Sequence, residues 1–113
     1  LLSANRLDGY IKNIWDWVQG DHYYKNKTTL IVTTDHGRGH EPIDYWRHHG
    51  SNVKGAEKVW IAVIGPDTPA RGEVNNSRMI YSSQIAKTIS TLLGVNYTNK
   101  EPVGDLIKEI IYD

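Results

Sequence analysis

The sequence has no cysteine among its 113 residues, which excludes a disulfide scaffold and a zinc module built on thiolate ligands. No apolar run approaches the ~20 residues that a membrane-spanning helix needs. Lys and Arg number 13 and Asp and Glu also number 13, so bulk charge gives no reason to expect binding to nucleic acid. The composition is therefore compatible with any class of globular protein that lacks a membrane span.

Two features of the amino terminus suggest that the chain is one part of a larger protein. It begins at Leu1-Leu2 without an initiator methionine. It also lacks the basic region and the apolar region of a signal peptide. We therefore expect a preceding segment to have been removed or to lie outside this chain.

Hydrophobic periodicity predicts two helices and two strands. Leu7, Ile11, Ile14 and Val18 recur at helical spacing, which predicts an amphipathic helix over 3–19 with this stripe inward. Ser3 is its expected N-cap and Gly20 its expected end. After it we predict a β-branched strand over 28–34, a loop over 38–57 and a strand over 58–64. A second helix is predicted over 80–93, with Ile85, Ile89 and Leu92 inward and Gly94 as its cap. A short helix or edge element is predicted within 102–111.

This order of elements indicates an α/β fold with layered helices and a mostly parallel sheet. Two or three strands do not form a stable sheet of this type alone. We therefore expect the chain to supply one flank of a larger α/β sandwich.

The strand over 28–34 ends in Asp35-His36-Gly37. Ligands bind at the carboxyl ends of strands in open α/β sheets, and a carboxylate with an imidazole suits zinc or manganese. Gly37 would allow the backbone to turn so that both side chains face one site. The alternative is a strand-ending turn in which Asp and Gly are favoured anyway.

The loop that follows is long for a compact domain, as functional loops often are. It contains His40, His48 and His49, and one of the last two could return to the site of His36. His40 is a weaker candidate for a supporting partner, and Arg38 and Arg47 are candidates for binding an anionic substrate. Solvated side chains are the alternative for all of these residues.

No catalytic nucleophile is recognisable in the sequence. It has no Gly-x-Ser-x-Gly elbow and no glycine-rich phosphate loop, and the absence of cysteine removes a thiol nucleophile.

Four segments in order resemble the alkaline phosphatase superfamily, which includes phosphodiesterases, phosphoglycerate mutases and sulfatases. They are Thr-Thr-Asp-His-Gly at 33–37, His-Gly at 49–50, Gly-Pro at 65–66 and the helical segment 84–94. The helix with Leu7-Asp8 and Trp15-Asp16-Trp17 also resembles the one that precedes the Asp-His strand in these enzymes. The resemblance covers nearly the whole chain but only the C-terminal part of such an enzyme.

The resemblance implies a three-layer α/β/α sandwich, of which residues 1–113 form the C-terminal portion of one hydrolase domain. It implies two divalent cations, zinc first and manganese or calcium as alternatives. Asp35 and His36 would hold one ion and His49 the other, with His48 as the substitute if the register shifts by one. Arg38, His48 and His40 would contact substrate or support the ligands. The Thr or Ser nucleophile and the remaining ligands would belong to the missing N-terminal part.

The implied function is metal-dependent hydrolysis of phosphoric esters, by the whole protein and not by this chain alone. The alternatives are a sulfatase, for which Lys54 is a loose match to an expected lysine, and a non-catalytic binding module that retains the fold. Because many relatives are exported, the resemblance favours an extracytoplasmic location.

Overall fold

The computed structural model describes residues 2–75 and 78–112. Within them the α-helices are α1 (Leu2–Gly20) and α2 (Ile85–Leu92), and the strands are β1 (Leu30–Thr33) and β2 (Ile61–Ile64). Short 3-10 helices cover Ile43–Arg47, Ser82–Gln84 and Lys108–Ile110. The order helix, strand, long loop, strand, helix is the predicted one, although both strands and the second helix are shorter than predicted.

The chain divides into two compact units. The loop unit is Leu30–Val63, and the helical unit is Leu1–Thr29 together with Ile64–Asp113. The loop unit contains all the candidate site residues that the sequence predicts.

Strand β1 pairs with β2 in a two-stranded sheet. The Thr33 hydroxyl donates a hydrogen bond to the Trp60 carbonyl at 2.6 Å, and beyond the strands the Gly37 N–H donates to the Ala56 carbonyl at 2.7 Å. The residue numbers of the partners decrease along one segment as they increase along the other, so the pairing is antiparallel. A three-layer sandwich with a mostly parallel sheet would need more strands than these two, so that architecture stays a prediction.

Helix α1 ends at Gly20, which confirms the predicted end, while Ser3 lies inside the helix and not at a cap position. Of its predicted inward stripe only Val18 is buried, at 8% exposure, whereas Leu7 and Ile14 are 50% and 51% exposed. The amphipathic pattern therefore predicted the helix correctly, but most of its apolar face is only partly covered by the described residues.

Gly94 ends helix α2 as predicted. Its φ of 67° lies in the left-handed region. Its N–H donates to the Thr91 carbonyl at 3.0 Å, and the Val95 N–H donates to the Ser90 carbonyl at 2.9 Å. This pair of bonds is a Schellman motif, which satisfies two of the last helical carbonyls and favours glycine because other residues are strained there.

The small core of the helical unit lies between α2 and the C-terminal segment that contains Ile107. Thr88 and Ile107 are each only 1% exposed. The Thr88 hydroxyl donates to the Gln84 carbonyl at 2.8 Å and accepts the Ile107 N–H at 3.1 Å. The buried face of α2 is thus centred on Thr88, whereas Ile89, predicted to face inward, is 39% exposed.

No helix in the described residues is both long enough and apolar enough to cross a bilayer.

Candidate metal centre

The segment after β1 holds Asp35, His36 and Gly37 against the loop that returns to β2. A Cβ atom built on Gly37 would overlap the backbone carbonyl oxygens of Gly55 and Lys58. Gly37 does not adopt a positive φ, whereas Gly55 does, at 100°. Glycine is therefore needed at position 37 because two backbone segments approach closely, and not for the sharp turn that the sequence suggested.

The ring of His36 has a defined orientation. Its Nδ1 atom lies 2.7 Å from the Gly37 carbonyl oxygen. A carbonyl oxygen can only accept a hydrogen bond, so Nδ1 carries the proton and the neutral ring keeps its lone pair on Nε2. Metal-binding histidines are commonly oriented by such a bond from the other ring nitrogen.

Asp35 brings a carboxylate oxygen towards this free nitrogen. Asp35 Oδ2 lies 3.6 Å from His36 Nε2, and the Asp35 side chain is 87% exposed. Its other oxygen accepts the His36 backbone N–H at 2.9 Å. Two ligands at ~2.0–2.2 Å from one tetrahedral zinc ion stand about 3.3–3.6 Å apart, so Asp35 Oδ2 and His36 Nε2 are spaced as a pair of ligands to one cation.

His49 stacks on His36. The ring centroids are 3.8 Å apart and the ring planes differ by 11°. Imidazole lone pairs lie in the plane of the ring, so two parallel rings direct theirs along separate, parallel planes. The two stacked rings therefore do not direct their lone pairs at one shared ion.

A backbone hydrogen bond joins the two segments of the loop next to the stacked rings. The Gly39 N–H donates to the His48 carbonyl at 3.1 Å. A Cβ atom on Gly39 would overlap the Tyr45 carbonyl and come within 2.7 Å of Val53 Cγ1. Close packing at Gly39 therefore fixes the position of His48, and through it that of His49.

His48 and His40 take other positions. The ring of His48 packs edge-on against Tyr45 at a centroid distance of 5.5 Å. The His40 N–H donates to the Lys54 carbonyl at 3.3 Å, and the His40 ring lies over Gly55, where it would collide with a Cβ atom. Of the loop histidines that the sequence singled out, the structure brings His49 to His36.

Glu57 stabilises the turn at Gly55, and the sequence gave no reason to single it out. Its carboxylate accepts the Gly55 N–H at 2.8 Å. Hydrogen bonds from the backbone N–H groups of Glu57 itself and of Gly55 lower the pKa of the Glu57 carboxyl, with smaller contributions from Lys58 and His40. This bond supports the segment that packs against Gly37.

Arg38 and Arg47 both contact Trp46. The guanidinium carbons lie 5.9 Å and 5.3 Å from the centroid of the indole ring. Each contact of this kind contributes ~0.5–1 kcal/mol at an exposed site. The sequence pattern indicated both arginines but not Trp46, although an aromatic residue near two basic residues of a loop is a usable signal.

Across residues 2–75 and 78–112 there is no group of three or more histidine, aspartate or glutamate side chains arranged to hold one metal ion. The described residues thus bring together a candidate ligand pair and a stacked imidazole, and not a complete coordination shell. Comparison with protein-family models, with curated proteins and with solved structures finds no match to this chain.

Proposed function

We propose that this chain supplies part of the dinuclear metal site of a hydrolase that acts on phosphoric esters. Asp35 and His36 bind one divalent cation, zinc in the first instance, and His49 binds the second. The observation that carries the proposal is the parallel stacking of His36 and His49 at 3.8 Å beside a carboxylate spaced for chelation.

The chemistry follows from the donor set. When bound, two such cations neutralise charge on the phosphoryl oxygens and lower the pKa of an attacking hydroxyl. His36 presents Nε2 because Gly37 holds its Nδ1 proton, and Asp35 is exposed to receive the ion. The nucleophile and the remaining ligands belong, in this proposal, to a part of the protein outside the chain.

One observation weighs against the sulfatase alternative. Lys54 is the loose match to the lysine expected in a sulfatase. Its ammonium pairs with Glu41 Oε2 at 2.8 Å, so its charge already has a partner within the loop.

Calorimetry with zinc and with manganese tests the metal assignment. We expect the wild-type chain to bind zinc and the Asp35→Asn/His36→Ala double variant to bind it at least tenfold more weakly. His22→Ala is the matched control, because His22 lies in the helical unit, and it should bind as the wild type does. Equal affinities in all three proteins would refute the assignment.

An activity measurement tests the division of the site between this chain and the rest of the enzyme. We expect the chain alone to hydrolyse no aryl phosphate, because a partial ligand set does not activate a nucleophile. Metal-dependent turnover by the chain, abolished by His36→Ala, would show instead that these residues contain the whole site.

A further inference from the structure

Two guanidinium groups share one indole ring in the loop unit. Arg38 and Arg47 are held by contacts with Trp46, and Arg38 Nη1 also lies 3.5 Å from the Trp46 carbonyl oxygen. Residues 38, 46 and 47 are all exposed. Their charges therefore stand at the surface of a loop that also carries the candidate metal ligands.

The backbone, and not only the side chains, brings these residues together. The Gly39 N–H donates to the His48 carbonyl, and the His48 N–H donates to the Tyr45 carbonyl at 2.8 Å. Gly39 has no room for a side chain beside Tyr45 and Val53. The two ends of the Arg38–His48 segment are therefore fixed next to each other, which reduces the conformational entropy that a ligand would have to remove.

Neither guanidinium has an acidic partner among residues 2–75 and 78–112. The described ion pairs use the cations of Lys12, Lys54, Arg78 and Lys87, together with His36. Arg47, and the Arg38 donors other than the Nη1 group that faces the Trp46 carbonyl, therefore have no partner in this part of the chain, and both positive charges lie beside one indole ring. A bound anion with several oxygens would relieve this repulsion and accept the donors in pairs.

We propose that Arg38, Trp46 and Arg47 form a binding site for an oxyanion group, a phosphate or a sulfate. In the described residues no hydrogen bond or ring contact joins this cluster to the side chains of His36 or His49. In this proposal the site binds its anion without a metal. Its role in the enzyme rests on the proposed function: it selects esters that carry a second anionic group in addition to the one that is cleaved.

The test measures anion binding to the 113-residue chain in EDTA, by calorimetry at low ionic strength. Inorganic pyrophosphate, phosphate and sulfate are the probes, and citrate distinguishes an oxyanion of phosphorus or sulfur from a carboxylate. Arg38→Gln and Arg47→Gln are compared with Arg6→Gln and Arg71→Gln, which remove the same charge from exposed positions in the helical unit.

We expect pyrophosphate to bind and each of Arg38→Gln and Arg47→Gln to weaken it about tenfold, the effect of one charged hydrogen-bonding group. Arg38→Lys should be intermediate, because lysine keeps the charge without the planar fork. Arg6→Gln and Arg71→Gln should change affinity less than twofold. Circular dichroism checks that each variant retains its helical content.

Three results would overturn the proposal. The first is no detectable binding of any probe by the wild type. The second is equal weakening by all four glutamine variants, which would indicate diffuse attraction by charge. The third is loss of binding in Asp35→Asn/His36→Ala, which would place the anion at the imidazoles. If the wild-type chain binds the anion but no zinc, the metal proposal is refuted and the anion site stands.

Discussion

The imidazole of His49 lies parallel to that of His36 with a centroid distance of 3.8 Å. His48, its immediate neighbour, packs instead against Tyr45. The two adjacent histidines therefore have different environments, which allows each to serve as the control for the other.

We expect His49→Ala to remove a weaker second step of zinc binding and to leave the step that uses Asp35 and His36. His48→Ala should leave both steps, because its ring is directed to Tyr45. Calorimetric stoichiometry measures this difference. Loss of the second step in His48→Ala, with His49→Ala unchanged, would reverse the assignment of the two histidines.

Gly37→Ala should destabilise the protein by about 1–3 kcal/mol, the usual cost of overpacking, because the new methyl group meets two backbone carbonyls. Gly9→Ala is the opposite case. Its Cβ atom would meet nothing within 4 Å, and it lies within α1, so it should stabilise by about 0.5–1 kcal/mol. Urea unfolding of both variants measures these opposite changes in the free energy of unfolding. An unchanged free energy of unfolding in Gly37→Ala would contradict the close packing.

Thr88→Val should destabilise the helical unit by about 1–3 kcal/mol, because it leaves the buried Ile107 N–H without an acceptor. Thr88→Ser keeps the hydroxyl and is the control. Hydrogen exchange at the Ile107 amide separates this effect from simple loss of packing. We expect protection to be lost in Thr88→Val and kept in Thr88→Ser; protection in both would mean that the hydroxyl is dispensable.

The Glu57 carboxyl should make the loop unit sensitive to acid. Its pKa is lowered from the ordinary value of 4.5, so its stabilising contribution is complete above that value and is lost as the pH falls through the lower folded pKa. The amide resonance of Gly55 should show this transition below pH 4.5. Glu57→Gln should abolish the transition, and a midpoint above the ordinary value would contradict the backbone hydrogen bonds.

The sequence alone determined the order of the elements and several of their ends. Helical periodicity located α1, and glycine marked the ends of both helices, because these signals depend on neighbouring residues only. The same local reasoning placed Asp35 and His36 at the end of a strand. It could not determine which residues of a long loop would return to that point.

Only the tertiary structure decided the partners. It brought His49 to His36, set two arginines against Trp46, and buried Thr88 while leaving Ile89, which was predicted to face inward, partly exposed. These outcomes depend on contacts between residues distant in sequence, such as Gly37 against Lys58 and Gly39 against Val53. Local patterns do not encode such contacts, because they arise from the close packing of backbone segments that only the folded chain brings together.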